Sequence, residues 1–166
     1  MGANELCNAL MGIISEETSL LERVATLELT LKQSVVSHDW RALERARAKM
    51  APIFRRLADV EQARAASFEA LRSDVQEDEG AGFYEVVVHL DRDQREEAAE
   101  AYRALKFTVL KIQGITASID VYLTTVTGAM QEILSELYPF RRGNIYSRHG
   151  TKTQVQSDPM VLNRHL

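Results

Sequence analysis

Few residues in this sequence are of the types that do chemistry, and their spacing gathers none of them into a site. The histidines His38, His89, His149 and His165 fall in a turn, in an apolar stretch and in the C-terminal segment. No Glu-x-x-His pair occurs, so the carboxylate-bridged di-iron bundle is not encoded. One cysteine, Cys7, gives no zinc-ligand spacing and cannot close an intramolecular disulfide, which removes the stapled secreted scaffolds. There is no phosphate-cradling glycine loop. The sequence therefore predicts no enzyme, no metal and no cofactor. Cys7 sits beside an apolar stripe and reads as a small buried hydrophobe. Arg41, Arg45, Arg47, Lys49, Arg55 and Arg56 make one stretch locally basic. A solvated face with arginine stems lying on apolar surface explains them, and a site for an acidic partner is the alternative.

Charge is distributed unevenly. Residues 139–166 carry five basic groups, Arg141, Arg142, Arg148, Lys152 and Arg164, against Asp158 alone, while residues 1–138 hold 15 basic and 23 acidic side chains. An acidic body without aromatics interleaved among its cations argues against nucleic acid as a partner. No apolar run reaches the ~18 residues of a membrane span, and the N-terminus lacks a basic region before an apolar stretch. A soluble cytoplasmic protein with no membrane insertion is expected.

Elements that would position a binding surface are far plainer. Leu6, Leu10, Ile13, Glu17, Leu20, Val24, Leu27, Leu31 and Ser34 alternate steps of four and three, with Glu17 and Ser34 as polar exceptions. That is the seam of a helix packed lengthwise on another, spanning about residues 4–36. Ser37-His38-Asp39 breaks it and offers an N-cap. In the next segment, about 39–75, Trp40, Leu43, Met50, Phe54, Leu57, Phe68, Leu71 and Val75 define a stripe interrupted by Arg47, Glu61 and Arg64. Ile53 and Val60 lie beside that stripe, and Pro52 is expected to kink the helix. A loop follows over 74–82. Phe83–Leu90 is open to both strand and helix, and the want of a second strand favours a short helix. Asp91 with Gln94 matches a capping box.

The third stripe runs without a miss through Ala98, Tyr102, Leu105, Val109, Ile112, Thr116, Ile119, Leu123, Val126, Met130, Ile133 and Leu137. Pro139 is expected to stop that helix. The fold predicted is all-α: an elongated antiparallel helical hairpin or three-helix bundle with coiled-coil-like packing over 1–138, and a basic, flexible C-terminal tail over 139–166. A third helix longer than its partners would leave part of its seam uncovered, and an exposed apolar seam is a docking surface.

Three stretches carry a family likeness: Ser37-His38-Asp39-Trp40-Arg41-Ala42-Leu43-Glu44, then Ala101-Tyr102-Arg103-Ala104-Leu105 with Leu110-Lys111-Ile112-Gln113, and finally Ile145-Tyr146-Ser147-Arg148-His149-Gly150. The sequence resembles the FlgN-type flagellar export chaperones. Pro52, the apolar Phe83–Leu90 stretch and Gly114 depart from that pattern. The resemblance implies a cytoplasmic chaperone that binds the C-terminal helical region of hook-associated (hook–filament junction) proteins and brings them to the flagellar type III export apparatus. On this chain the client-binding residues would be Ile119, Leu123, Val126, Met130, Ile133 and Leu137. Docking to the export gate or ATPase complex would use Tyr146 with Arg141, Arg142 and Arg148. The alternative is a coiled-coil adaptor, structural or signalling, whose stripes pair in a homodimer.

Overall fold

A computed structural model describes residues 2–137, together with the backbone of Ile145–Tyr146 and Lys152–Thr153. Four helices follow in chain order: α1 (Ala3–Val36), α2 (Trp40–Asp74), α3 (Phe83–Val87) and α4 (Arg92–Leu137). Ile145–Tyr146 (β1) pairs antiparallel with Lys152–Thr153 (β2), Ile145 facing Thr153. The fold is all-α in its packed part. The chain divides into two compact units, Met1–Val121 and Tyr122–Leu166. Pro139, Arg141, Arg142 and Arg148 lie outside the described residues, as does the side chain of Tyr146.

In the first unit α1 and α2 form an antiparallel hairpin. Its turn is tight because one residue serves both helices. Asp39 N–H donates to the Ser34 carbonyl and His38 N–H to that of Val35, with His38 left-handed at φ 57°. This is the Schellman termination of α1. The Asp39 carboxylate then accepts from the Ala42 N–H at 2.9 Å, capping α2. The end of α2 repeats the device around Gln76, φ 60°, through Glu77 N–H to Arg72 and Gln76 N–H to Ser73.

Two clusters fill the first unit. At one end Cys7, Leu10, Ile14, Leu71, Phe83, Val86, Val87, Leu90, Ala98 and Leu105 pack together. At the other, Leu20 and Val24 meet Met50, Ile53 and Val60, with Ile112 alongside. Here α4 runs parallel to α1. Asn4 bonds Asp91 and Gln94 at the start of α4, and Glu28 bonds Thr116 farther on. Helix α1 packs along α2 and also meets α4, and its buried stripe is wide: Cys7 and Ile14 are buried beside the half-buried Leu6 and Ile13.

The structure bears on several sequence expectations in detail. Half of the expected α2 stripe holds, with Met50 and Leu71 buried and Leu57, Arg64 and Phe68 half-buried, while the other half shifts by one residue, from positions 47, 54 and 61 to 46, 53 and 60. Ala46, Met50, Ile53, Val60 and Leu71 are buried, whereas Trp40 and Phe54 are exposed. Arg47 and Glu61 therefore do not interrupt the seam; they stand outside it. Helix α2 passes through Pro52 without a break. Phe83–Val87 is helical, and its Phe83, Val86 and Val87 are buried. The Asp91–Gln94 capping box is not closed. Both side chains reach Asn4 of α1 instead, and the Gln94 carbonyl oxygen has no hydrogen-bond partner.

Candidate functional site

Of the described histidines, His89 places its Nε2 2.6 Å from Glu77 Oε1. Among the described residues no three His, Cys, Asp or Glu side chains could hold a metal together. Cys7 is fully buried, and burial, with Glu97 adding to it, pushes its thiol above the ordinary value. It stays protonated and unreactive, as a small hydrophobe would. One cleft of about 90 Å³ opens among Leu10, Ile14, Arg64, Phe68, Phe83 and Tyr102. That is below the ~300 Å³ at which ligand pockets begin, so this cleft takes at most a side chain.

Two features of that end are built with care. Glu17, the polar exception of the α1 stripe, is buried, and its Oε2 lies 2.6 Å from Nε of Arg64, the polar exception of α2. Each interruption of one seam answers the other, so neither charge is buried alone. Ser34, the other exception, is satisfied by donating to the Thr30 carbonyl at 2.7 Å. Around the cleft Phe83 stacks on Tyr102 with ring centroids 4.0 Å apart and on Phe68 at 6.0 Å. The basic stretch Arg41, Arg45, Arg47, Lys49, Arg55 and Arg56 of α2 is exposed. Arg47 pairs with Glu44, and Arg56 reaches across to Glu16.

Helix α4 is where the apolar stripe changes character. Ala98, Leu105 and Thr108 are buried and Ile112 is half-buried. In the second unit Leu123 is 44% exposed, Met130 59%, Ile133 54% and Leu137 67%, while Val126 is half-buried. Ile119, the last of the six expected client-binding residues, is half-buried in the first unit. Leu134 is exposed next to Ile133 and was not on the expected stripe. A residue adjacent to a heptad position broadens an apolar face, and that signal was present in the sequence. Tyr146 is placed by backbone alone, opposite Lys152.

An exposed heptad stripe on a long helix has the form of a binding surface. Comparison with known families agrees: the family described as FlgN protein matches residues 1–154. The chain belongs to the FlgN family. It is accordingly a flagellar export chaperone, and binding of flagellar client proteins is the activity to be accounted for. No curated protein and no solved structure matches the chain. Among the described residues no helix of this FlgN-family protein is long and apolar enough to cross a membrane.

Proposed function

We propose that the protein works in the cytoplasm as an export chaperone for hook-associated proteins, laying the C-terminal helical region of the client along the distal stripe of α4 and delivering it to the flagellar type III export apparatus. The observation that carries this reading is the exposure of Leu123, Met130, Ile133 and Leu137 on a stripe whose heptad spacing is unbroken from Ala98. An amphipathic client helix buries its own apolar face there by the helix-in-groove mode, with Ile119 and Val126 on the same stripe. A client held this way is kept from aggregating through that face.

The test uses the full chain and the C-terminal segment of a hook-associated protein. Leu123→Asp and Ile133→Asp each place an unpaired charge in the contact, and complex formation is expected to fall by at least about a hundredfold. Helical content by circular dichroism should stay unchanged. Unfolding of both variants would make the stripe ordinary core, and conversion of a dimer to a monomer would favour the homodimeric adaptor.

For the tail the proposal is docking to the export gate or ATPase complex through Tyr146, with Arg141, Arg142 and Arg148 steering it toward an acidic surface. Tyr146→Ala should leave client binding intact while abolishing export-gate binding and secretion of junction proteins. Normal secretion by that variant would remove the tail from the mechanism and leave the client-binding half standing.

A further inference from the structure

The core-facing stripe of α4 is not its one apolar face. Phe107, Leu110, Gly114, Ala117 and Val121 recur at alternating steps of three and four on the side of the helix turned away from Leu105, Thr108 and Ile112. All five are exposed, Phe107 at 71% and Leu110 at 64%. Single exposed apolar side chains are ordinary on a protein surface, but a phenylalanine and a leucine one turn apart, continued by two small residues, form a strip.

Three cations surround that strip. Arg103 lies one turn before Phe107, Lys106 flanks it on one side and Lys111 on the other. Arg103 Nε donates to the Ala99 carbonyl at 3.1 Å. Lys106 Nζ stands 5.4 Å from the Tyr102 ring centre and 5.9 Å from that of Tyr84, which holds the ammonium at the strip's edge. Among the described residues, no carboxylate lies within ion-pair distance of any of the three; the ion pairs there belong to other cations. This local surplus stands out in residues 1–138, where 23 acidic side chains outnumber 15 basic ones.

Charge decides what fits. Two copies pairing in parallel would set Lys106 opposite Lys111, and any pairing of copies through Phe107 and Leu110 crowds six cations around one apolar strip. A helix with apolar residues at heptad spacing and Asp or Glu on its flanks covers the strip and gives each cation a counter-charge. We infer that the Phe107–Leu110 face of α4 docks an acidic amphipathic helix of a partner protein, on the side of α4 away from its core-facing stripe. The apolar pair supplies affinity, and the cations select the sign of the partner and speed its arrival.

The probe is a synthetic three-heptad peptide with Leu at the apolar positions and Glu on both flanks, set against the same peptide with Lys in place of Glu. Both are titrated into the full chain by fluorescence anisotropy. The Glu peptide should bind about tenfold tighter or more at low salt, and the gap should narrow as ionic strength rises. Phe107→Ser should cost about tenfold in Glu-peptide affinity with circular dichroism unchanged, since the side chain is exposed. The double variant Lys106→Glu, Lys111→Glu should reverse the preference toward the Lys peptide. Equal binding of the two peptides, or indifference to Phe107→Ser, would overturn the inference. So would a wild-type dimer in sedimentation that Phe107→Ser dissociates, since the strip would then belong to a second copy.

Discussion

The two ends of α4 carry one repeat and meet two fates. Between Ala98 and Ile112, Ala98 and Leu105 are buried and Tyr102 and Ile112 half-buried, with Val109 exposed and Thr108 buried in its place; these residues pack against Cys7, Leu10 and Ile14 at one level and Leu20 and Val24 at the next. From Leu123 to Leu137 the same spacing is kept and the side chains are exposed. Periodicity states which face of a helix is apolar; it does not state what covers that face. Cover comes from other segments, and in the first unit it is supplied by α1, α2 and the short α3. The proposed function needs the second situation as much as the first, because a face already covered has nothing to offer a client.

The largest expected effect separates the two ends directly. Leu105→Ala opens a cavity in the first cluster and should cost about 2–5 kcal/mol in denaturant unfolding. Met130→Ala, on the same stripe but exposed, should stay within about 0.5 kcal/mol of wild type. Equal losses would break the comparison and make the distal stripe core.

A second, intermediate effect tests the polar pair that lines up α1 and α2. Glu17→Leu alone leaves the Arg64 guanidinium without its carboxylate in a partly buried seat and should cost about 2 kcal/mol. Glu17→Leu with Arg64→Leu removes both charges, and the double variant should recover most of that loss. Additive losses in this cycle would show that the two residues do not act as a pair.

The smallest effect concerns Glu28, half-buried where α1 meets Thr116 of α4. Burial pushes its carboxyl above the ordinary value, and the hydrogen bond from Thr116 offsets this only in part. The folded chain therefore holds this proton more tightly than the unfolded chain. The ionised carboxylate costs stability at neutral pH, and the cost fades as pH falls through the carboxylate range. Glu28→Gln should stabilise by no more than about 0.5 kcal/mol near neutral pH, given its partial exposure. The gain should vanish toward about pH 4. A gain that instead grows on acidification would mean the carboxylate is a stabilising group.

The bounds of α1 and α4 were legible because sustained heptad spacing, with no internal proline, leaves little else for those residues to do, and the isolated Gly12, Gly114 and Gly128 do not interrupt it. Helix α2 was legible as a helix, with half of its stripe, through Met50, Leu57 and Leu71, in phase and the other half one residue off. Trp40 and Phe54 are the most conspicuous apolar residues there, and they draw a stripe toward themselves; Ala46, which is buried, gives almost no hydropathic signal. The seat of Arg64 could not be read locally at all, because it depends on Glu17 in another helix. At the start of α4 the Asp91–Gln94 pattern pointed to the right boundary through the wrong contacts, since Asn4 of α1 competes successfully for both side chains. The Phe107–Leu110 strip was overlooked because Gly114 and Ala117 thin its signal, although its spacing is as regular as the core stripe. The family likeness held over residues 1–154. It was carried by helix layout and a few short motifs, which fix a class of protein more readily than the side chains that do its work.

The turn at Ser37–Asp39 has a consequence for how this protein can change. Asp39 ends one helix and begins the next, so no residue in the turn is spare. Adding or removing one residue there would rotate all of α2 by about 100° about its axis relative to α1. Arg64 would swing away from Glu17, and Ile53 and Val60 would leave the seam together. Side chains along the hairpin can be exchanged one at a time, at costs of the size given above. The number of residues joining the two helices cannot, because that count sets the angle at which α2 meets α1.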